Sequence, residues 1–265
     1  MAPTKSPTAG RTTRRRQAIR AKPPLGRPAG GKDREESLDA STTNDAFGLL
    51  DLAPEVRAAA APAAVEAGAG IELIRRAAAG CRACDLWEHA TQTVFGVGSV
   101  PARIMLVGEQ PGDQEDLEGE PFVGPAGRML DRALAEAGID RAETFVTNVV
   151  KHFRWKPAPG SKRRLHEKPS RVQVRACLPW VAAELDIVRP EALVLLGATA
   201  ADGLLGSDVR VMRDRGRPLN SDLAPHVFVT IHPSAILRAG DAISRADAYN
   251  GFRDDLMAVV RALAP

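Results

Sequence analysis

The chain has 265 residues, 44% of them hydrophobic and 26% charged, an ordinary globular composition with room for one or two domains. No uninterrupted apolar run approaches the ~20 residues of a membrane span, and the charged first residues lack the apolar segment of a secretory signal, so a soluble, cytoplasmic protein is expected. The net charge of +3 is unevenly spread: residues 1–37 hold ten basic and three acidic side chains, while the remaining 228 hold 26 basic and 30 acidic ones. Any nucleic-acid contact by the body must therefore rest on local patches rather than on bulk charge.

In chain order, residues 1–69 read as a disordered tail of Thr, Arg, Pro and Gly that ends in an Ala/Pro-rich stretch. The Arg14–Arg16 cluster fits sequence-blind phosphate contact, and equally a solvated tail or a misplaced start codon. Residues 70–265 form the expected folded domain, which at that size buries roughly 70% of its unfolded surface. A short helix over Ile71–Ala79, closed by Gly80, leads into Cys81-Arg82-Ala83-Cys84. Three cysteines cannot make a disulfide framework, and no strand precedes the pair as in a thioredoxin-like site. Two thiolates at this spacing take adjacent corners of a metal centre, which Cys177 or His152 can complete. Zinc and an iron–sulfur cluster both accept thiolate and imidazole, so the residues alone leave the two open.

Four apolar, β-branched runs follow: Arg103–Gly108, Phe145–Val150, Ala192–Gly197 and Val227–Ile231. Such runs suit strands buried on both faces. Helical patterns separate them: Ala126–Ala137 closed by Gly138, Ser170–Val188 with Ser170 as N-cap, and Thr199–Leu205. A last helix follows Asn250, with Phe252, Leu256, Val259, Val260 and Leu263 on one face. This alternation predicts an α/β fold of three layers, α/β/α, around a mostly parallel four-stranded sheet.

Open α/β sheets bind ligands beyond the carboxyl ends of their strands. The first strand runs into Glu109-Gln110-Pro111-Gly112, the second into Asn148 and Lys151-His152, and the fourth into His232-Pro233-Ser234. Three polar, turn-rich ends predict one shared pocket. The third strand ends in Gly197-Ala198-Thr199-Ala200, which reads as packing and a helix N-cap.

Taken together, four strings resemble the uracil-DNA glycosylase superfamily: Gly108–Gly112, Pro121–Arg128 (PFVGPAGR), Thr147–Lys151 (TNVVK) and His232-Pro233-Ser234. The layout is similar to the family 4 enzymes, which carry a [4Fe–4S] cluster. Two departures, His152 in place of a cysteine and an extended loop with Lys162-Arg163-Arg164-Leu165-His166, resemble the UdgX group, which bonds covalently to uracil-containing DNA. Leu165 stands where that group has isoleucine, a swap of similar volume. The likeness spans nearly all of residues 70–265.

The resemblance implies four cluster ligands, Cys81, Cys84, His152 and Cys177, in a structural rather than redox role. It implies Phe122 as the platform under a flipped uracil, where the plain alternative is a core residue anchoring its loop. Asn148 would read the uracil edge, its amide donating to O4 and accepting from N3–H. His232 would hydrogen-bond the developing O2 anion. Glu109 would position water or orient His166, and His166 would attack C1′ and become bonded to the sugar. The backbone of Gln110 and Gly112 can approach base or phosphate. Lys162, Arg163 and Arg164 would contact phosphate or brace the loop, and Asp113, Glu115 and Asp116 read as solvated surface. Ser234 and Arg238 would hold phosphates while Ile236 or Leu237 wedges into the gap, the alternative being the start of a surface helix.

The expected function is thus excision of uracil from DNA, single strands preferred, followed by self-trapping through His166, by a monomer in the bacterial cytoplasm that associates with the nucleoid. Two rivals stand beside it: a turnover glycosylase using water, and a metal-stapled nucleic-acid-binding module without chemistry.

Overall fold

The computed structural model describes residues 67–264; the expected tail lies outside the described residues up to residue 66. Helix α1 (Ala67–Ala79) opens the described chain, and no helix among the described residues is long and apolar enough to cross a membrane. Four strands carry the fold: β2 (Ile104–Gly108), β3 (Thr144–Asn148), β6 (Ala192–Leu196) and β7 (His226–Thr230). Neighbours run parallel in the order β3-β2-β6-β7, with Leu106 facing Val146 on one side and Val194 on the other.

The expected four-stranded sheet has a fifth member. A two-residue strand, β1 (Val97–Gly98), pairs antiparallel with β3 at the edge. Two residues show no periodicity, so nothing in the pattern announces it. The second strand also ends at Asn148 rather than Val150, although Val149 and Val150 are fully buried.

Period-two alternation divides the strand residues between two cores. Met105, Val107, Phe145, Leu193, Leu195, Val227 and Val229 pack on one face with α1, α4 (Arg171–Val188) and α5 (Ala198–Leu205). Ile104, Leu106, Val146, Val194, Leu196 and Phe228 pack on the other with α3 (Pro125–Glu136) and α8 (Ala242–Ala262). These are the three expected layers. Ser170 caps α4 as anticipated, and Gln173 completes a capping box by accepting from the Ser170 N–H. The last helix starts eight residues before Asn250, where Asp241 caps its N-terminus.

A hairpin and three short helices join these layers. A hairpin of β4 (Trp155–Pro157) and β5 (Arg164–His166) forms a separate two-stranded sheet. Short helices α2 (Asp113–Glu118) and α7 (Pro233–Leu237) follow the ends of β2 and β7. With α6 (Val211–Asp214) these complete the α-helices among the described residues. Hairpin, α2 and α7 all sit at the carboxyl end of the parallel sheet, around a pocket of about 480 Å³.

Candidate active site

The pocket floor is Asn148, the last residue of β3, only 2% exposed. Its Oδ1 is buried and has no hydrogen-bond partner. An unsatisfied buried acceptor costs roughly 1–3 kcal/mol, so this atom is set for a donor from outside the chain. Gly108 faces Asn148 across the β2–β3 register, and a Cβ there would collide with Oδ1 and lie 2.7 Å from Phe122 Cζ. Only glycine lets the amide and the ring converge.

Phe122 forms the wall beside it, with a left-handed backbone (φ 61°) that costs a residue with a Cβ of order 1–3 kcal/mol. Two contacts hold it there. The first turn of α3 presses against it so closely that a Cβ on Gly127 would collide with the Phe122 carbonyl. Glu115 Oε1 accepts from the Gly124 N–H at 3.0 Å and ties the turn down. The Phe122 ring stacks on His232, centroids 5.8 Å apart and planes 26° from parallel.

His232 is held in one tautomer. The Ser234 N–H donates to its Nδ1 at 3.2 Å, so the ring hydrogen sits on Nε2. Burial pushes its pKa down to about 4, with Arg238 and His166 acting in the same direction. A neutral ring offering an N–H is the form that an oxyanion needs.

Glu109 follows β2. Its Oε2 accepts from the Thr199 hydroxyl, and its Oε1 stands 3.5 Å from His166 Nε2. His166, the last residue of β5, is half exposed at the pocket mouth and tilted against Phe153. Burial holds its imidazole below the ordinary histidine range, while Glu109 pulls the other way.

The hairpin that carries His166 is anchored by side chains. Gln110, 5% exposed, donates to the carbonyls of Arg154 and Glu167 and accepts from the Arg154 N–H. Trp155 Nε1 donates to the His89 carbonyl. Of the two roles expected for Arg164, phosphate contact or bracing of the loop, its position fits the second: it turns inward, 2.5 Å from both Asp113 Oδ1 and Asp116 Oδ2. It also lies over the rings of Phe153 and Trp155. Asp116 and Glu115, expected as solvated surface, are 0% and 8% exposed and serve as internal anchors. Asp116 additionally accepts from the Thr91 N–H.

Lys162 and Arg163 are exposed on the hairpin, and Arg163, Gly112, Ser234 and Arg238 line the pocket. Ile236 is fully buried in the α3–α8 core and cannot wedge into DNA; Leu237, 38% exposed, remains available on α7.

The four expected ligands come from three segments. Trp180 Nε1 lies 3.2 Å from Cys81 Sγ, one turn along α4 from Cys177. The Cys177 thiol donates to the Cys84 sulfur, which lowers Cys84 to about 7, while the same bond and burial raise Cys177. Thr93 spends its hydroxyl hydrogen on the Ala78 carbonyl, so it accepts from His152 Nε2 at 2.9 Å. That leaves the His152 Nδ1 lone pair buried and unpartnered, a neutral donor ready for a metal. Thiolate and imidazole donors of this kind fit a metal group. No three His, Cys, Asp or Glu side chains among the described residues are set to hold a single ion.

Sequence reasoning missed several supporting residues. Thr199 is a partner of Glu109, not packing, and the helix N-cap at that strand end is Gly197. Lys151, 0% exposed, donates to Thr147 Oγ1, the Asn148 carbonyl and Glu184 Oε2 at 2.6–2.9 Å. Its place in a polar strand end was the available signal, but its partner Glu184 lies 33 residues away.

Residues 95–256 match the family model described as the uracil DNA glycosylase superfamily. The chain is 36% identical over 169 residues to the type-4 uracil-DNA glycosylase of Thermotoga maritima, covering 63% of this chain and 83% of that protein. It is 41% identical over 164 residues to the type-4 enzyme of Archaeoglobus fulgidus, covering 59% and 78%. A type-5 uracil-DNA glycosylase of Pyrobaculum aerophilum is 27% identical over 173 residues, covering 58% and 71%. By the extent of these matches, the chain belongs to the uracil-DNA glycosylase superfamily.

Proposed function

We propose that this protein excises uracil from DNA and then traps itself on the abasic sugar through His166, as in the UdgX group. The observation that carries the trapping step is His166 at the pocket mouth, 3.5 Å from a carboxylate and lining the same pocket as Asn148. The names of the relatives supply the base and the backbone.

Extruding a base from a duplex costs a few kcal/mol and less from a single strand, which favours single-stranded substrate. In the pocket, Asn148 Oδ1 accepts from uracil N3–H, a donor that cytosine lacks. Phe122 packs against the ring, and His232 Nε2–H faces the charge that develops on O2. The C1′–N1 bond breaks with its electron pair on uracil. A lone pair of the neutral His166 ring then forms the N–C1′ bond. The hydrogen on the opposite ring nitrogen, facing Glu109, is shed to that carboxylate or to water, and uracil regains a proton from solvent.

Cys81, Cys84, His152 and Cys177 are assigned here to a [4Fe–4S] cluster. Thiolate and imidazole suit zinc and iron–sulfur clusters alike, so the choice of a cluster rests on the likeness to the type-4 enzymes. When bound, the cluster supplies a cross-link among the loop after α1, the segment leading into the hairpin, and α4. Iron and sulfide near four each per chain are expected, and stoichiometric zinc in anaerobically purified protein would reject the assignment.

The functional test is a heat-denaturing gel of the protein with a single-stranded oligonucleotide holding one uracil, and with its thymine twin. A shifted band with uracil alone is expected. Alkali-labile product without that band means an ordinary glycosylase, and neither signal means a binding module.

A further inference from the structure

Glu109 stands beside His166, but a carboxylate orients a neighbour only when it is itself held. The Glu109 side chain is 22% exposed. Among the described residues, one side chain donates a hydrogen bond to it: the Thr199 hydroxyl, on Oε2. The other oxygen is the one that faces His166.

Thr199 is placed for this by the fold rather than by chance packing. It is 6% exposed and stands in the first turn of α5, directly after β6, the central-sheet strand next to β2. The turn is fixed at Gly197, whose N–H donates to the Thr230 carbonyl of β7 and whose φ of 92° is open to glycine. Backbone N–H groups in the first turn of a helix are unpaired along the helix and carry partial positive charge, which favours a carboxylate beside them. The third strand end of the parallel sheet thus supports the same pocket as the other three.

We infer that Thr199 is a positioning residue for the reaction: its hydroxyl pins Glu109 Oε2 so that Oε1 is presented to His166. This rests on the reading of Glu109 and His166 given above. Thr199 touches neither base nor sugar. Its contribution passes entirely through Glu109, so it vanishes when Glu109 cannot perform its part.

That dependence is the test. Adduct formation and uracil release are followed together under single turnover with the holoprotein and a uracil-containing single strand, for wild type, Thr199→Val, Thr199→Ser, Glu109→Gln and the double variant Glu109→Gln/Thr199→Val. Partners that orient a reacting or metal-binding histidine typically cost 10–100-fold when removed, so Thr199→Val is expected to slow adduct formation by about that factor, with DNA affinity unchanged. Thr199→Ser keeps the hydroxyl and stays within about 3-fold. In the Glu109→Gln background the valine substitution has no more than about a 3-fold effect, because contacting residues that act as one unit are not additive.

An undiminished rate in Thr199→Val overturns the inference. So does an equal loss in both backgrounds, which marks a packing role. Should the valine variant fold poorly, Thr199→Ala against Thr199→Ser makes the same comparison. A wild type that releases uracil without adduct defeats the trapping reading alone, and the Glu109–Thr199 coupling is then read on uracil release.

Discussion

Two groups of residues meet in one pocket and are held in opposite ways. Asn148 and Phe122 are set into the molecule: the first ends a central strand at 2% exposure, and the second is locked in a left-handed backbone by α3 and Glu115. His166 is half exposed on a two-stranded hairpin outside the main sheet, tethered by Arg164, Gln110 and Trp155. On the proposed reading, base recognition is built into the core, while His166 rides on an appendage fixed by side chains. The two can be separated by mutation, because loosening the hairpin leaves the floor intact.

The largest expected effect comes from His166→Ser. Adduct should fall by about a thousand-fold or more on a denaturing gel, while uracil release continues and free abasic product appears where water now enters. Next comes Asn148→Ala, which strikes the other region: release and adduct should fall together, by about a hundred-fold, with adduct per uracil released unchanged. If Asn148→Ala altered that ratio, the two regions would not be separable.

Arg164→Ala addresses the tether. It removes the partner of Asp116, a fully buried carboxylate, so a loss of roughly 1–3 kcal/mol is expected as a lower melting temperature. Adduct formation should drop about ten-fold while uracil release stays within a few-fold. Equal losses in both would place Arg164 in the common scaffold rather than in the hairpin's own anchor.

A pH series sharpens the comparison on the hairpin side. In the proposed attack His166 acts as the neutral ring, and burial lowers its pKa in the folded protein. The adduct rate should stay level as pH falls through the ordinary histidine range near 6.5, then decline below it. Glu109 favours the protonated ring, so Glu109→Gln should move that acid limb to still lower pH. His232, down at about 4, stays neutral over the same range. The smallest effect is expected from Arg163→Ala on the exposed side of the hairpin: affinity a few-fold weaker for any sequence, and a salt slope reduced by about one.

The four parallel strands were legible because each is a near-continuous apolar run bounded by turn residues, and Asn148 and His232 because they stand at the ends of such runs. The hairpin was not, since Trp155–His166 is short, basic and free of apolar alternation. Arg163 and Arg164 look alike as letters, yet alternation along β5 turns Arg164 to the side of His166 and the body. Asp116 and Thr199 draw their roles from contacts far along the chain, Thr199 from a carboxylate 90 residues away, and local pattern carries no trace of such pairs.

The measurement that bears most directly on self-trapping is peptide mapping of the denatured, nuclease-trimmed complex formed with uracil-containing single-stranded DNA. The account predicts one modified peptide, carrying an abasic sugar on the His166 ring. A sugar on any other residue, or an unmodified His166 peptide recovered in full alongside released uracil, would contradict it.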